Sequence, residues 1–562
     1  MATLEADDVV WDLADLLDGR DDEAAVLELL DRADVLADEL AAGKGQVASF
    51  DHDRLVAHMR GALALGELVG RASSWASLRF YADMSDAAKG ALVQRVQERS
   101  TAISTKLLWF ELEWAALDDD RVEELLQGDD IAFAAHHLRS ARRYTPYLLS
   151  EPEERVLTEK AVTGRNAWSR LFNELTSAIE VDLDGETTTL EAALSRIASP
   201  DPEVRATAAK AVTEALRPGL RTRAYVYNTL LHDKAVDDRL RGYPTWITSR
   251  NLANEASDES VDALVDAVRR RYDVPQRWYR LKARILGVDR LKDWDRMASL
   301  ATSDAHIGWE EARELVLDSY ASFSEEMAST ARRFFDERWI DAPARPGKRP
   351  GAFCAYTVPS VHPYVFLNWT SRRRDVLTLA HELGHGLHAY LARGQGLFHQ
   401  GTPLTLAETA SVFGETVTFG RLLEQTVDPG ERLALLAENI EGAIATVFRQ
   451  TAMNRFEHSA HLARREEGEL SVERFGELWA ASQEEMLGEA VEVTEGYRSW
   501  WSYVPHFIGT PGYVYAYAYG QLLALSVYRQ YEEQGSDFVP RYLHLLSAGG
   551  SLAPEELGRI PS

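Results

Sequence analysis

The sequence predicts a mainly α-helical fold, on three observations. Apolar residues recur at i, i+3, i+4 spacing along most of the chain. Strand-like patterning is confined to two short stretches. One helical stretch, "TLAHELGHGLHAY" at 378–390, gathers three histidines, a glutamate and two glycines, as a site built on a helix would. The 562 residues suffice for two to four domain-sized units, and low-complexity segments and fixed-period repeats are absent.

Taken in order, "DDEAAVLELLDRADVLADELAAG" (21–43) has helical spacing and stops at a glycine. Residues 86–117 and 202–220 read the same way, and 257–287 reads as two helices broken at Pro275. "IEVDLDGETTTL" (179–190) is the exception, two strand-like runs around an Asp-Gly turn. "DAPARPGKRPGAF" (341–353), rich in Pro and Gly, reads as a linker. The next residues, "FCAYTVPSVHPYVFLNW" (353–369), read as a small hairpin or irregular sheet just ahead of the histidine-bearing helix.

A net charge of −28 argues against a nucleic-acid partner, which demands clustered cations, and favours a monomer or small homo-oligomer. No run approaches the roughly 20 apolar residues that a membrane helix needs, and the N-terminus lacks the pattern of a secretory signal. The single cysteine, Cys354, excludes a disulfide framework and a cysteine-rich metal site. A cytoplasmic location is the expectation.

His381-Glu382-Leu383-Gly384-His385 is an H-E-x-x-H pattern. On a helix, residues i and i+4 lie on one face about 6 Å apart, so both imidazoles can converge on one zinc ion. Glu382, beside the first ligand, is positioned to take a proton from metal-bound water. Gly384 and Gly386 each cost about 0.8–1.0 kcal/mol against alanine inside a helix, which points to close approach of another backbone or a ligand. His388 lies about 10.5 Å along the axis from His381, too far to share an ion with it, and is expected in an outer layer or against substrate.

A third ligand is needed. Glu408 is the first acidic residue after the motif, on the helix expected within 402–425, and Glu415 lies on its face. Thr405 to Glu408 also fits a capping box, which would give Glu408 a purely structural task. The tract 497–525 concentrates Trp500, Trp501, Tyr503, His506, Tyr513, Tyr515, Tyr517 and Tyr519. An aromatic stripe is commonly core, but Tyr and His in this density also offer donors for an oxyanion.

With these pieces assembled, the chain resembles the thimet-oligopeptidase-like zinc metallopeptidases, in their oligoendopeptidase F branch. The resemblance runs over about residues 110–545. It rests on 143–175 ("RYTPYLLSEPEERVLTEKAVTGRNAWSRLFNEL"), on "GAFCAYTVPSVHPYVFLNWTSRRRDVLTLAHELGHGLH", on "LAETASVFGE" and on "VPHFIGTPGYVYAYAYG". It implies a two-lobed helical fold with a deep central channel, and one zinc per chain held by His381, His385 and Glu408. It further implies Glu382 as general base, Glu415 behind a ligand histidine, and His506 with Tyr515 or Tyr513 as transition-state donors. The implied domains are a helical region at 1–110, an oligoendopeptidase F-like domain at 111–195 and a catalytic domain at 196–562. The function expected is hydrolysis of internal bonds in short peptides, with "HPYVFLNW" pairing to an extended substrate. A carboxypeptidase and a peptide-binding scaffold without catalysis are the alternatives.

Overall fold

The computed structural model describes residues 6–301 and 306–560, apart from the side chains of Leu404 and Thr405. It is mainly helical, and the helix starts follow from local chemistry. Asp22 accepts from Ala25 N ahead of the Glu23–Ala41 helix, and Asp51 from Arg54 N ahead of His52–Ala82. Asp201 caps Pro202–Leu216, where proline occupies the first turn. The stretch 86–117 forms two helices, Ala87–Thr105 and Leu108–Ala115. Residues 257–287 also form two, Asp258–Arg269 and Asp273–Leu286, with Pro275 inside the first turn of the second. Among the described residues no helix is long and apolar enough to cross a membrane.

The chain divides into two compact units, each threaded by separated segments: 1–151, 304–425 and 523–562 in one, 152–303 and 426–522 in the other. Of the segments expected from sequence, 111–195 and 196–562 each contribute to both units.

In the first unit a three-stranded sheet lies beside the histidine-bearing helix. Strand Tyr364–Trp369 is central, parallel to Ile340–Pro343 and antiparallel to Phe353–Ala355. Its near-continuous apolar run matches burial on both faces. Both of its edges are occupied, which corrects the expectation that "HPYVFLNW" pairs with substrate. The supposed linker 341–353 is also corrected. Asp341 and Lys348 are fully buried and paired at 2.5 Å, and Lys348 Nζ donates to Pro343 O and stands over the Phe366 ring. Pro346, Gly347, Pro350 and Gly351 lie exposed in a return that this buried pair anchors to the core.

The motif helix, Arg373–Ala392, packs on the carboxylate helix, Leu404–Gln425. A Cβ on Gly384 would stand 2.5 Å from Ala410 O and 2.6 Å from Ser411 Cα, and one on Gly414 would stand 3.1 Å from Ala380 O. Gly386 faces the Phe334 ring at 2.6 Å. The expected reason for these glycines is thus met by a neighbouring backbone and a ring. Tyr320 Oη, which donates to Ala380 O at 2.6 Å, closes the same contact.

In the second unit, strands Glu180–Leu183 and Glu186–Thr189 form the expected hairpin. Asp184 and Gly185 both take positive φ, as a type I′ turn requires. Its core joins Tyr227, Phe456, Phe475, Trp479, Trp501 and Phe507, so part of the aromatic tract is core.

Gly384→Ala is expected to cost about 1–3 kcal/mol by overpacking. Gly420→Ala, on the carboxylate helix with nothing within 4 Å of its added Cβ, should gain up to about 1 kcal/mol. Denaturant unfolding of the two variants checks this, and equal stabilities would mean that the helices have room to part.

Candidate metal centre

The motif helix starts at a fixed point because Asp375 accepts from Thr370 N, Thr370 Oγ1 and Arg372 N. Val376, Leu379, Ala380, Leu383 and Leu387 are fully buried and fix the rotation of the helix. His381 and His385 then stand together, with ring centroids 5.0 Å apart. Glu408 Oε2 lies 3.3 Å from His381 Nε2 and 3.6 Å from His385 Nε2. A tetrahedral zinc with ligand bonds of about 2.0–2.1 Å separates its donors by about 3.4 Å, so two imidazole nitrogens and one carboxylate oxygen fit that ion.

The flanking groups aim His381 Nε2 and Glu408 at one another. His381 Nδ1 donates to Glu415 Oε2 at 3.0 Å, which directs Nε2 toward Glu408. His385 is hydrogen-bonded to the backbone of Ala407. Ser411 Oγ donates to Glu408 Oε2 at 2.8 Å. The Glu408 carboxylate therefore points at the histidines, while the Thr405 side chain of the capping-box alternative lies outside the described residues.

Electrostatics separate the four acid–base groups. Burial opposes charge on His381, but its hydrogen bonds to Glu408 and Glu415 outweigh this and push its pKa up to about 10. Burial likewise opposes the Glu408 carboxylate, yet His381, His385 and Ser411 hold it down to about 2. Glu382, on the same helix and facing no such donor, is pushed up to about 7, mainly by burial and further by Glu408 and Glu415. His385, neutral through burial, falls to about 4.

His388 stands apart from the three donors. It is buried, pushed down to about 3 by burial, and its Nδ1 has no hydrogen-bond partner among the described residues. Sequence reasoning missed Tyr356, just past strand Phe353–Ala355. Its phenol is raised by burial and by the nearby Cys354, Glu408 and Glu382, and Cys354 is raised in turn by burial and Glu382. The strand therefore runs beside the general-base candidate, which spacing in the sequence does not reveal.

The second unit holds His506 and the tyrosines. His506 Nε2 is 3.2 Å from Tyr517 Oη, the His506 and Tyr513 rings stack at 6.1 Å, and Tyr513 meets Tyr517 edge-on at 4.9 Å. Tyr515 faces elsewhere. It is fully buried, and its oxygen accepts from Asn254 Nδ2 at 2.8 Å. Tyr513 lies in the turn just ahead of helix Tyr515–Gln534 and Tyr517 in its first turn, while Tyr515, two residues before Tyr517, falls on the other side of the helix. The intervening turn is pinned: Gly512, at φ +73°, donates its N–H to Glu457 Oε1, and Arg250 Nε donates to Pro511 O.

A helical fold that sets an H-E-x-x-H helix against a carboxylate on a neighbouring helix defines a metallopeptidase. Residues 196–559, more than half of the chain, match the model of peptidase family M3, and residues 113–180 match that of oligopeptidase F. The chain belongs to peptidase family M3 and is a metalloendopeptidase. Oligopeptidase PepF of Bacillus subtilis is 26% identical over 87% of this chain and 74% of its own. Group B oligopeptidase PepB of Streptococcus agalactiae is 28% identical over 83% of this chain and 79% of its own. Among solved structures, a peptidase of Chlamydophila abortus shares the fold at a TM-score of 0.82 and 21% identity, covering 100% of this chain and 95% of that one. Oligoendopeptidase-F of Enterococcus faecium gives 0.70 and 21%, covering 96% and 94%.

His381 is protonated at neutral pH in the metal-free site, and ligation demands its neutral form. Loading zinc should therefore release about one proton, and apparent affinity should rise about tenfold per pH unit between pH 7 and 9. Competition with a chromophoric chelator measures this slope, and a slope near zero would remove the Glu408–His381–Glu415 arrangement as its cause.

Proposed function

We propose that this metalloendopeptidase uses one zinc, held by His381, His385 and Glu408, to cut internal bonds of short peptides with Glu382 as general base. The observation that carries the proposal is the convergence of those three donors beside a buried carboxylate whose pKa is near neutrality. Zinc bound there would supply Lewis-acid chemistry, lowering the pKa of water and polarising the scissile carbonyl. Glu382 takes a proton at its carboxylate as water attacks, and hands it to the departing amine. Glu415 and Ser411 keep His381 and Glu408 aimed while this happens.

The resemblance and the local geometry of the second unit support His506 with Tyr517 and Tyr513 as donors to the oxyanion. Tyr517 enters this proposal in place of Tyr515, whose oxygen is engaged by Asn254 inside the core. The extended substrate is assigned to strand Phe353–Ala355, which has a strand neighbour on one side only among the described residues and runs beside Glu382. A limit on substrate length follows from the channel that the resemblance implies. A cytoplasmic location belongs to the same proposal, supported by the one free cysteine.

Internally quenched peptides of graded length, with and without chelator, test the activity. Peptides of roughly five to fifteen residues should be cut internally, whereas efficient digestion of a large unfolded protein would contradict the proposal. Glu382→Gln should retain zinc and lose about 10²–10⁴ in turnover. Tyr517→Phe and Tyr513→Phe should lower kcat by up to about 10²–10³ with zinc content unchanged, and Tyr515→Phe should act on stability. A Tyr515→Phe protein that is stable yet catalytically crippled would return that role to Tyr515.

A further inference from the structure

The helix that runs toward the His506 cluster is irregular at one point. Helices Pro429–Ile444 and Gln450–Glu467 are joined without a break by a π-helical turn, Ala445–Arg449. Such a turn inserts a residue into the helical ladder and recurs at functional sites. This one ends on Arg449, whose side chain is half-buried and whose Nε is buried with no hydrogen-bond partner. Among the described residues no carboxylate pairs with this guanidinium, although the chain carries 89 acidic side chains against 61 basic ones. In the second unit Arg205 is matched with Asp295, Arg241 with Glu154 and Lys282 with Glu441, whereas Arg223 and Arg464, like Arg449, keep a buried Nε without a hydrogen-bond partner.

The turn packs where the tyrosines are. Ile444 and Val447 share one apolar cluster with Ala518, which follows Tyr517 directly. The charge of Arg449 is felt by Tyr279, Tyr503 and His506, and Tyr279 also feels Glu441, a carboxylate already paired with Lys282. A partly desolvated guanidinium without a counter-ion is an incomplete ion pair, and the group that completes it best is a carboxylate, bound through two parallel N–H donors. The ligands of a peptidase bring carboxylates of two kinds, the C-terminal group and the side chains of Asp and Glu.

We propose that Arg449 is a substrate-binding residue that takes a carboxylate of the peptide beside His506. The proposal rests on the reading of the chain as a peptidase whose His506 cluster meets substrate. It makes this enzyme sensitive to where a negative charge lies along the peptide, a selectivity that the metal centre alone does not supply.

The experiment compares four forms of one short quenched peptide: free acid and amide at the C-terminus, and Glu and Gln at one internal position. Wild-type enzyme and the variants Arg449→Gln and Arg449→Lys are assayed, with folding checked by circular dichroism. In wild type a carboxylate form should be favoured about ten- to a hundredfold, chiefly in KM, and the position of the favoured charge tells the C-terminal group from a side chain. Arg449→Gln should bring that form down to the level of its neutral counterpart, and Arg449→Lys should keep part of the preference. Indifference of the wild type to all four forms, or a preference that survives in Arg449→Gln, overturns the proposal. If no peptide is cut at all, the peptidase reading fails separately. Fluorescence anisotropy with the same labelled peptides then decides the anchor, by whether the carboxylate forms bind wild type more tightly than Arg449→Gln.

Discussion

The contact between two helix backbones at Gly384 governs the rest of the metal centre. Two imidazoles on one helix supply two donors, and a third must come from elsewhere at nearly the same depth. The carboxylate helix supplies it only because it comes close enough for Ala410 O to occupy the space of a Cβ on Gly384. Gly414 makes the reciprocal gap opposite Ala380 O. A side chain at Gly384 would force the helices apart, and donors spaced at 3.3 and 3.6 Å would no longer be set to share an ion. Gly384 and Gly414, one helix-weakening residue on each helix, are the local cost of that proximity.

Charge is arranged around the same contact. Three carboxylates, Glu382, Glu408 and Glu415, surround His381, and each meets a different environment. Glu408 has donors from two directions and stays ionised, Glu415 is tied to His381 Nδ1, and Glu382 has burial without compensating hydrogen bonds. The difference between about 2 for Glu408 and about 7 for Glu382 sets the proposed ligand apart from the proposed base. Types of residue alone would not have distinguished them.

Much of this was legible in the sequence, for reasons that can be named. The i, i+4 histidines, the Asp-Gly hairpin at 184–185 and the capped helix starts are local patterns, and local geometry decides them. The glycines announced a close neighbour, but not that it would be the backbone of Ala410. Residues 341–353 misled because Pro and Gly mark anchored surface turns as well as linkers, and the buried Asp341–Lys348 pair that anchors this one is seen only once the return is folded. Tyr515 was favoured over its neighbours by pattern, whereas the pinned Gly512 turn and the helix start that follows it bring Tyr513 and Tyr517 to His506. Tyr356 and Arg449 carry no signal in spacing, because what sets them apart is the surroundings that the fold creates.

The central claim is that His381, His385 and Glu408 converge on one ion because the two helices touch. Anomalous diffraction from zinc-loaded crystals, collected on both sides of the zinc absorption edge, tests it directly. The account predicts one strong peak within bonding distance of His381 Nε2, His385 Nε2 and a Glu408 oxygen, with Glu382 and His388 outside that distance. A peak bound by Glu382 or His388, or one that leaves Glu408 free, would contradict it.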